Sequence, residues 1–241
     1  MLKAFTMTML STALLLSTTT QALVNTANTQ ATSAAIFSND AIHHPLWAKN
    51  GMVSSQEALA SEVGVKILQE GGNAVDAAVA VGFALAVTLP RAGNIGGGGF
   101  MMIYDAKKDK TIALDYREKA PLKAYRDMFL DEKGDAVSDL SRYHGLAVGV
   151  PGTVAGLIKA LEDHGTMSLE QVLAPAISLA EEGIEVTPGL SESLVALTER
   201  LQKWPSTTKV FFKEDGSAYE AGEWLKQPEL AHSLKLIAEK G

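Results

Sequence analysis

The sequence predicts an α+β fold in which a sheet is layered against helices. Three observations lead there. Residues 74–89 are apolar on nearly every side, the mark of a helix buried all round. Residues 100–104 ("FMMIY") are apolar in both alternating phases, as in a strand covered on both faces. Between them stands "GNIGGGG", residues 93–99, a glycine density that marks a sharp turn or a closely approached backbone. A buried strand fed by a buried helix implies a sheet with helices outside it.

The elements follow in order. A helix opens near a capping Ser54 or Ser55 and presents Leu59, Val63, Ile67 and Leu68 as one apolar stripe. Gly71 and Gly72 end it. Asn73 starts the next helix, with Asp76 three residues on in capping-box spacing, so Asp76 reads as a cap residue rather than a catalytic acid. "FMMIYDA" and "TIALDYRE" form a hairpin around the solvated turn Lys107 to Lys110. "GLAVGV" reads as another apolar strand, followed by Pro151 at a helix start, a stripe of Leu157, Ile158 and Leu161, and Gly165 at the end. Helices follow over residues 168–182, after Thr187-Pro188 and after Pro228, with a short hairpin in "KVFFKEDGSAY" turning at Asp215-Gly216.

Composition narrows the class. The chain has 241 residues, 46% hydrophobic and 20% charged, which is ordinary for a globular protein. A net charge of -7 leaves no electrostatic footprint for nucleic acid. Residues 1–22 read as an export signal: Lys3 is the only charge before Asp40, residues 9–17 are apolar, and small residues precede a cleavage point after Ala22. That apolar stretch is shorter than the roughly 20 residues a membrane span needs, so no span is expected after signal removal. Residues 23–42 read as a flexible linker and residues 43–241 as the folded part. With no cysteine, export brings no disulfides.

Several chemistries are excluded. The glycine run lacks the Lys and Ser/Thr of a P-loop, and it precedes a strand where a dinucleotide fingerprint would precede a helix. There is no Gly-x-Ser-x-Gly elbow and no His-Glu-x-x-His. His43 and His44 are adjacent, and His144, His164 and His232 are isolated, so a metal set is not indicated. The informative stretch is "LDYREKAP". Arg117 follows a buried strand, and its planar fork suits a carboxylate. A structural ion pair with Asp115, Glu118 or another acid is the equal alternative.

Residues 51–106, "GMVSSQEALASEVGVKILQEGGNAVDAAVAVGFALAVTLPRAGNIGGGGFMMIYDA", with "ALDYREKAP" and "GVPGTVAGL", resemble the gamma-glutamyltranspeptidases, or glutathione hydrolases. The likeness runs from about Gly51 to the last residue and looks closest to periplasmic enzymes of Gram-negative bacteria. It implies an N-terminal nucleophile hydrolase, a four-layer αββα sandwich that is incomplete in this chain. It implies a proenzyme that cuts itself into two subunits, frees an N-terminal Thr nucleophile, and moves the gamma-glutamyl group of glutathione to water or an amino acid. No cofactor is implied. By motif position Arg117 would hold the alpha-carboxylate of that group, and the glycine run would let core elements pack closely. The Thr is expected beyond Gly241, so no catalytic residue is expected in this chain. The remainder, with its small subunit, is the expected partner, and the chain alone is expected to be inactive. A non-catalytic binding module and a related beta-lactam or glutaryl acylase are the alternatives.

Overall fold

The computed structural model describes residues 47–241. The export signal, the linker, and His43 and His44 lie outside the described residues. Helices α1 (Ala58–Gln69) and α2 (Ala74–Thr88) come first. The hairpin β1 (Phe100–Asp105) and β2 (Lys110–Asp115) follows. Then come α3 (Ser138–Arg142), a 3₁₀ turn (Gly145–Ala147), α4 (Thr153–His164) and α5 (Leu169–Glu182). The chain closes with β3 (Ile184–Glu185), α6 (Pro188–Ala196), α7 (Thr198–Leu201), α8 (Pro205–Phe211), β4 (Trp224–Leu225) and α9 (Pro228–Lys240).

Helix α2 is the centre of the core. Ten of its 15 residues are buried, among them Val79, Phe83 and Val87. It packs against α1, α4 and α5, and α5 in turn packs against α9. An apolar helix needs partners on every side, and these supply them. Its N-terminus carries the full capping box: the Asn73 side chain accepts from the Asp76 N–H, and the Asp76 carboxylate accepts from the Asn73 N–H. Between α1 and α2, the Gly71 N–H donates to Leu68 O and the Gly72 N–H to Ile67 O, with Gly71 at φ +97, a Schellman ending. The short β3–β4 ladder pairs Ile184 with Leu225, both buried. Just beyond it, Gln227 donates through its side chain to Val87 O at 2.9 Å, tying the last turn of α2 to the start of α9.

Hairpin β1–β2 pairs antiparallel from Phe100↔Asp115 to Asp105↔Lys110. One face is partly buried, with Met101, Ile103 and Leu114 packed on the core. The other is open: Phe100, Met102 and Tyr104 are 65%, 69% and 63% exposed. This corrects the expectation of a strand covered on both faces. Among the described residues the hairpin is a two-stranded sheet with a core on one side only. The α+β class stands, while the two stacked sheets of the sandwich are not assembled by these residues.

Three smaller expectations are also corrected. Residues 145–150 form a 3₁₀ turn and a single bridge, Lys119↔Val150, in place of a strand. Only one backbone pairing is available there, and Val148 and Val150 stay exposed. The cap of α1 is Glu57, whose carboxylate accepts from the Leu59 and Ala60 N–H groups, because Ser55 is engaged with Glu57 O and Ser61. Within residues 209–219, the first three belong to α8; the turn at Gly216 (φ +83) and the bridge Phe212↔Ala218 are all that remains of the hairpin.

Candidate functional site

Three segments distant in sequence converge just past the end of β2. Tyr116 donates its N–H to Gly99 O at 3.0 Å, prolonging the hairpin by one residue. Gly97 O accepts from the N–H groups of Gly152 and Thr153, at 2.7 and 3.0 Å, which fastens the glycine run to the start of α4. Lys119 and Val150 exchange two backbone hydrogen bonds, 3.3 and 2.8 Å long. Residues 116–119 are thereby held between the glycine run and the segment that leads into α4.

The glycines are needed because of this approach. A Cβ on Gly152 would stand 1.9 Å from Tyr116 O. One on Gly98 would meet the Glu118 backbone nitrogen at 2.4 Å. No glycine of the run has a positive φ, so close approach, and not a left-handed turn, accounts for Gly93, Gly98 and Gly99.

A cleft of about 270 Å³ opens beside this junction. Its walls include Asp115, Arg117, Lys119, Val150, Ala155 and Lys159. Asp115 uses its carboxylate on the Arg117 backbone N–H, at 3.0 Å. Among the described residues no ion pair involves the Arg117 or Lys119 side chains, so the structural pairing of Arg117 with Asp115 or Glu118 does not form. Lys159 is paired with Asp163 at 2.8 Å, and that bond raises the Lys159 pKa. Beside the Asp115 carboxylate the cleft therefore offers two cations without an ion-pair partner, one of them a planar fork. Such a site binds a small carboxylate through two parallel hydrogen bonds.

Sequence reasoning found Arg117 and missed Lys119, Lys159 and Tyr116. Lys119 lay inside the same motif. Lys159 could have been read from α4, where Gly152, Ala155, Gly156 and Lys159 repeat at one-face spacing. A larger cleft of about 500 Å³, lined by Asp139, Tyr143, Arg200 and Trp204, holds none of the motif residues.

The other candidates are structural. The Asp76 carboxylate is fully buried and accepts four hydrogen bonds, from the N–H groups of Asn73, Thr166 and Met167 and from the Thr166 hydroxyl. Burial alone would raise its pKa, but the Thr166 hydroxyl and these backbone groups hold it below the ordinary value. His144 Nδ1 accepts from the Leu146 N–H, and His164 O accepts from the Asn73 side chain. Among the described residues no group of three or more His, Asp or Glu side chains is placed to hold a metal ion.

Comparison with known proteins decides the family. The gamma-glutamyltranspeptidase family model matches residues 60–241. This chain belongs to that family. A glutathione hydrolase proenzyme of Escherichia coli is 50% identical over 200 residues, covering 83% of this chain and 34% of that protein. The crystal structure of Helicobacter pylori gamma-glutamyltranspeptidase matches with a TM-score of 0.79 at 49% identity, over 81% of this chain and 56% of that one. A cephalosporin acylase from Bacillus halodurans matches with a TM-score of 0.69 at 30% identity, over 85% of this chain and 39% of that one. The likeness to the gamma-glutamyltranspeptidases places the fold among the N-terminal nucleophile hydrolases, and the family is one of gamma-glutamyltransferases and glutathione hydrolases. The chain spans about a third of the length of the curated relatives it matches.

Proposed function

We propose that this chain is the N-terminal part of the large subunit of an exported glutathione hydrolase proenzyme, and that Arg117 anchors the alpha-carboxylate of the gamma-glutamyl group. The observation that carries this reading is the Arg117 guanidinium itself. It stands without an acidic partner among the described residues, in a cationic cleft, on the motif where the family places its carboxylate contact.

In this reading the anchored carboxylate fixes one end of the glutamyl group and presents the gamma-carbonyl to a nucleophile supplied by the rest of the proenzyme. That nucleophile is an N-terminal Thr, activated by its own amine. Its hydroxyl oxygen attacks the gamma-carbonyl, the cysteinyl-glycine amine leaves, and the resulting ester passes the glutamyl group to water or to an amino acid. Arg117 acts on capture and orientation, not on bond breaking. The open face of Phe100, Met102 and Tyr104 is then covered by the remainder of the proenzyme. The apolar stretch near the N-terminus directs the protein to the periplasm; among the described residues no helix is long and apolar enough to cross a membrane.

The test uses the full-length proenzyme. It should mature into two chains, the smaller beginning with Thr, and release glutamate from glutathione. Arg117→Ala should raise KM for glutathione by roughly a hundredfold, the loss of a bidentate charge-assisted contact. An unchanged KM would remove Arg117 from the site. A second reading, an acylase with a glutaryl or beta-lactam side-chain preference, draws support from the acylase likeness, since a terminal carboxylate would use the same anchor. Competition between glutathione and a glutaryl amide separates the two.

A further inference from the structure

Arg117 has no side-chain tether of its own among the described residues, so something else must fix where its fork points. Its neighbour Tyr116 is the most constrained residue of the segment. The ring lies against the backbone of Gly99, where an added Cβ would stand 2.9 Å from the ring edge. On its other side lies Gly156 of α4, where an added Cβ would stand 2.2 Å from both the Tyr116 Cβ and Cγ. Its carbonyl abuts Gly152, and its N–H is bonded to Gly99 O. Two glycines from distant segments, Gly99 and Gly156, thus flank the ring, and Gly152 leaves room for the backbone carbonyl beside it. Among the described residues no hydrogen bond involves the phenol oxygen, so the side chain is held by packing and not by a hydrogen bond of its hydroxyl.

We infer that Tyr116 is a positioning residue: its ring, keyed between Gly99 and Gly156 while its carbonyl abuts Gly152, sets the direction of Arg117 in the cleft. The inference rests on the carboxylate-anchoring reading of Arg117. It adds that the anchor's aim is fixed by packing between the end of β2 and α4, within the wall of the same cleft. A displacement of the fork by about an ångström is enough to cost one to two orders of magnitude in a bound-substrate geometry.

The experiment is a double-variant cycle in the full-length proenzyme, with glutathione hydrolysis as the readout. Tyr116→Ala should raise KM by roughly tenfold or more while kcat changes by less. Tyr116→Phe, which restores the ring without the hydroxyl, should rescue KM. Tyr116→Ala combined with Arg117→Ala should be no worse than Arg117→Ala alone, because the ring acts through the guanidinium. If Tyr116→Ala does not fold, Tyr116→Leu takes its place, with a smaller rise in KM and the same non-additivity. A variant that lowers the melting temperature but leaves KM unchanged would overturn the inference, as would losses that simply multiply in the double variant. Failure of the underlying reading looks different: Arg117→Ala alone would then leave KM unmoved.

Discussion

The Asp76 carboxylate is buried and fully bonded, whereas the Arg117 side chain lines a cleft and makes no ion pair among the described residues. Asp76 ties the start of α2 to Thr166 and Met167, 90 and 91 residues away, and its carboxylate is fully engaged by these bonds. Asp76→Asn would place an amide N–H₂ among N–H donors and should cost about 3 kcal/mol, measured by chemical denaturation at neutral pH. The pH dependence follows from the lowered pKa. As pH falls, the unfolded chain protonates first, so the contribution of Asp76 is complete above about pH 4 and is lost as pH drops through the folded value. The stability gap between the two proteins should therefore narrow below about pH 4; a gap that widens in acid would contradict this account.

At the scale of elements, what was legible in the sequence is what local chemistry decides. The capping box at Asn73, the glycines after α1 and the apolar girth of α2 all act within one or two turns. What was not legible depends on distant partners. Residues 145–150 have the composition of a strand but find a single backbone pairing, so they bridge at Val150 and go no further. The glycine run was readable as close packing, but not what it packs against, because Tyr116 and Gly152 meet it only after the hairpin has turned back. The cost of filling that contact is open to measurement. Gly152→Ala drives a methyl into Tyr116 O and should either abolish folding or destabilise the protein by about 3 kcal/mol, well beyond the ordinary effect of Gly→Ala. A neutral result would mean that the β2–α4 junction is loose and cannot hold Arg117 in place.

At the scale of the whole molecule, the described residues form a helical core with one hairpin whose outer face is apolar and open. In the full-length proenzyme, Met102 and Tyr104 should resist hydroxyl-radical labelling, while Trp224, 61% exposed on the β3–β4 ladder, is labelled freely. Equal labelling would show that nothing covers the hairpin. The site is likewise only partly a property of local sequence. Arg117 could be picked out from its motif, while Lys159, 42 positions on, reaches the same cleft only because α4 is fastened to Gly97. The most direct test of the central claim compares two donors in the full-length proenzyme, a gamma-glutamyl anilide and the 4-aminobutyryl anilide that lacks only the alpha-carboxylate. The wild type should favour the first in kcat/KM by roughly a hundredfold or more, and Arg117→Ala should bring the ratio close to one. A ratio that survives the substitution would show that the alpha-carboxylate is held elsewhere.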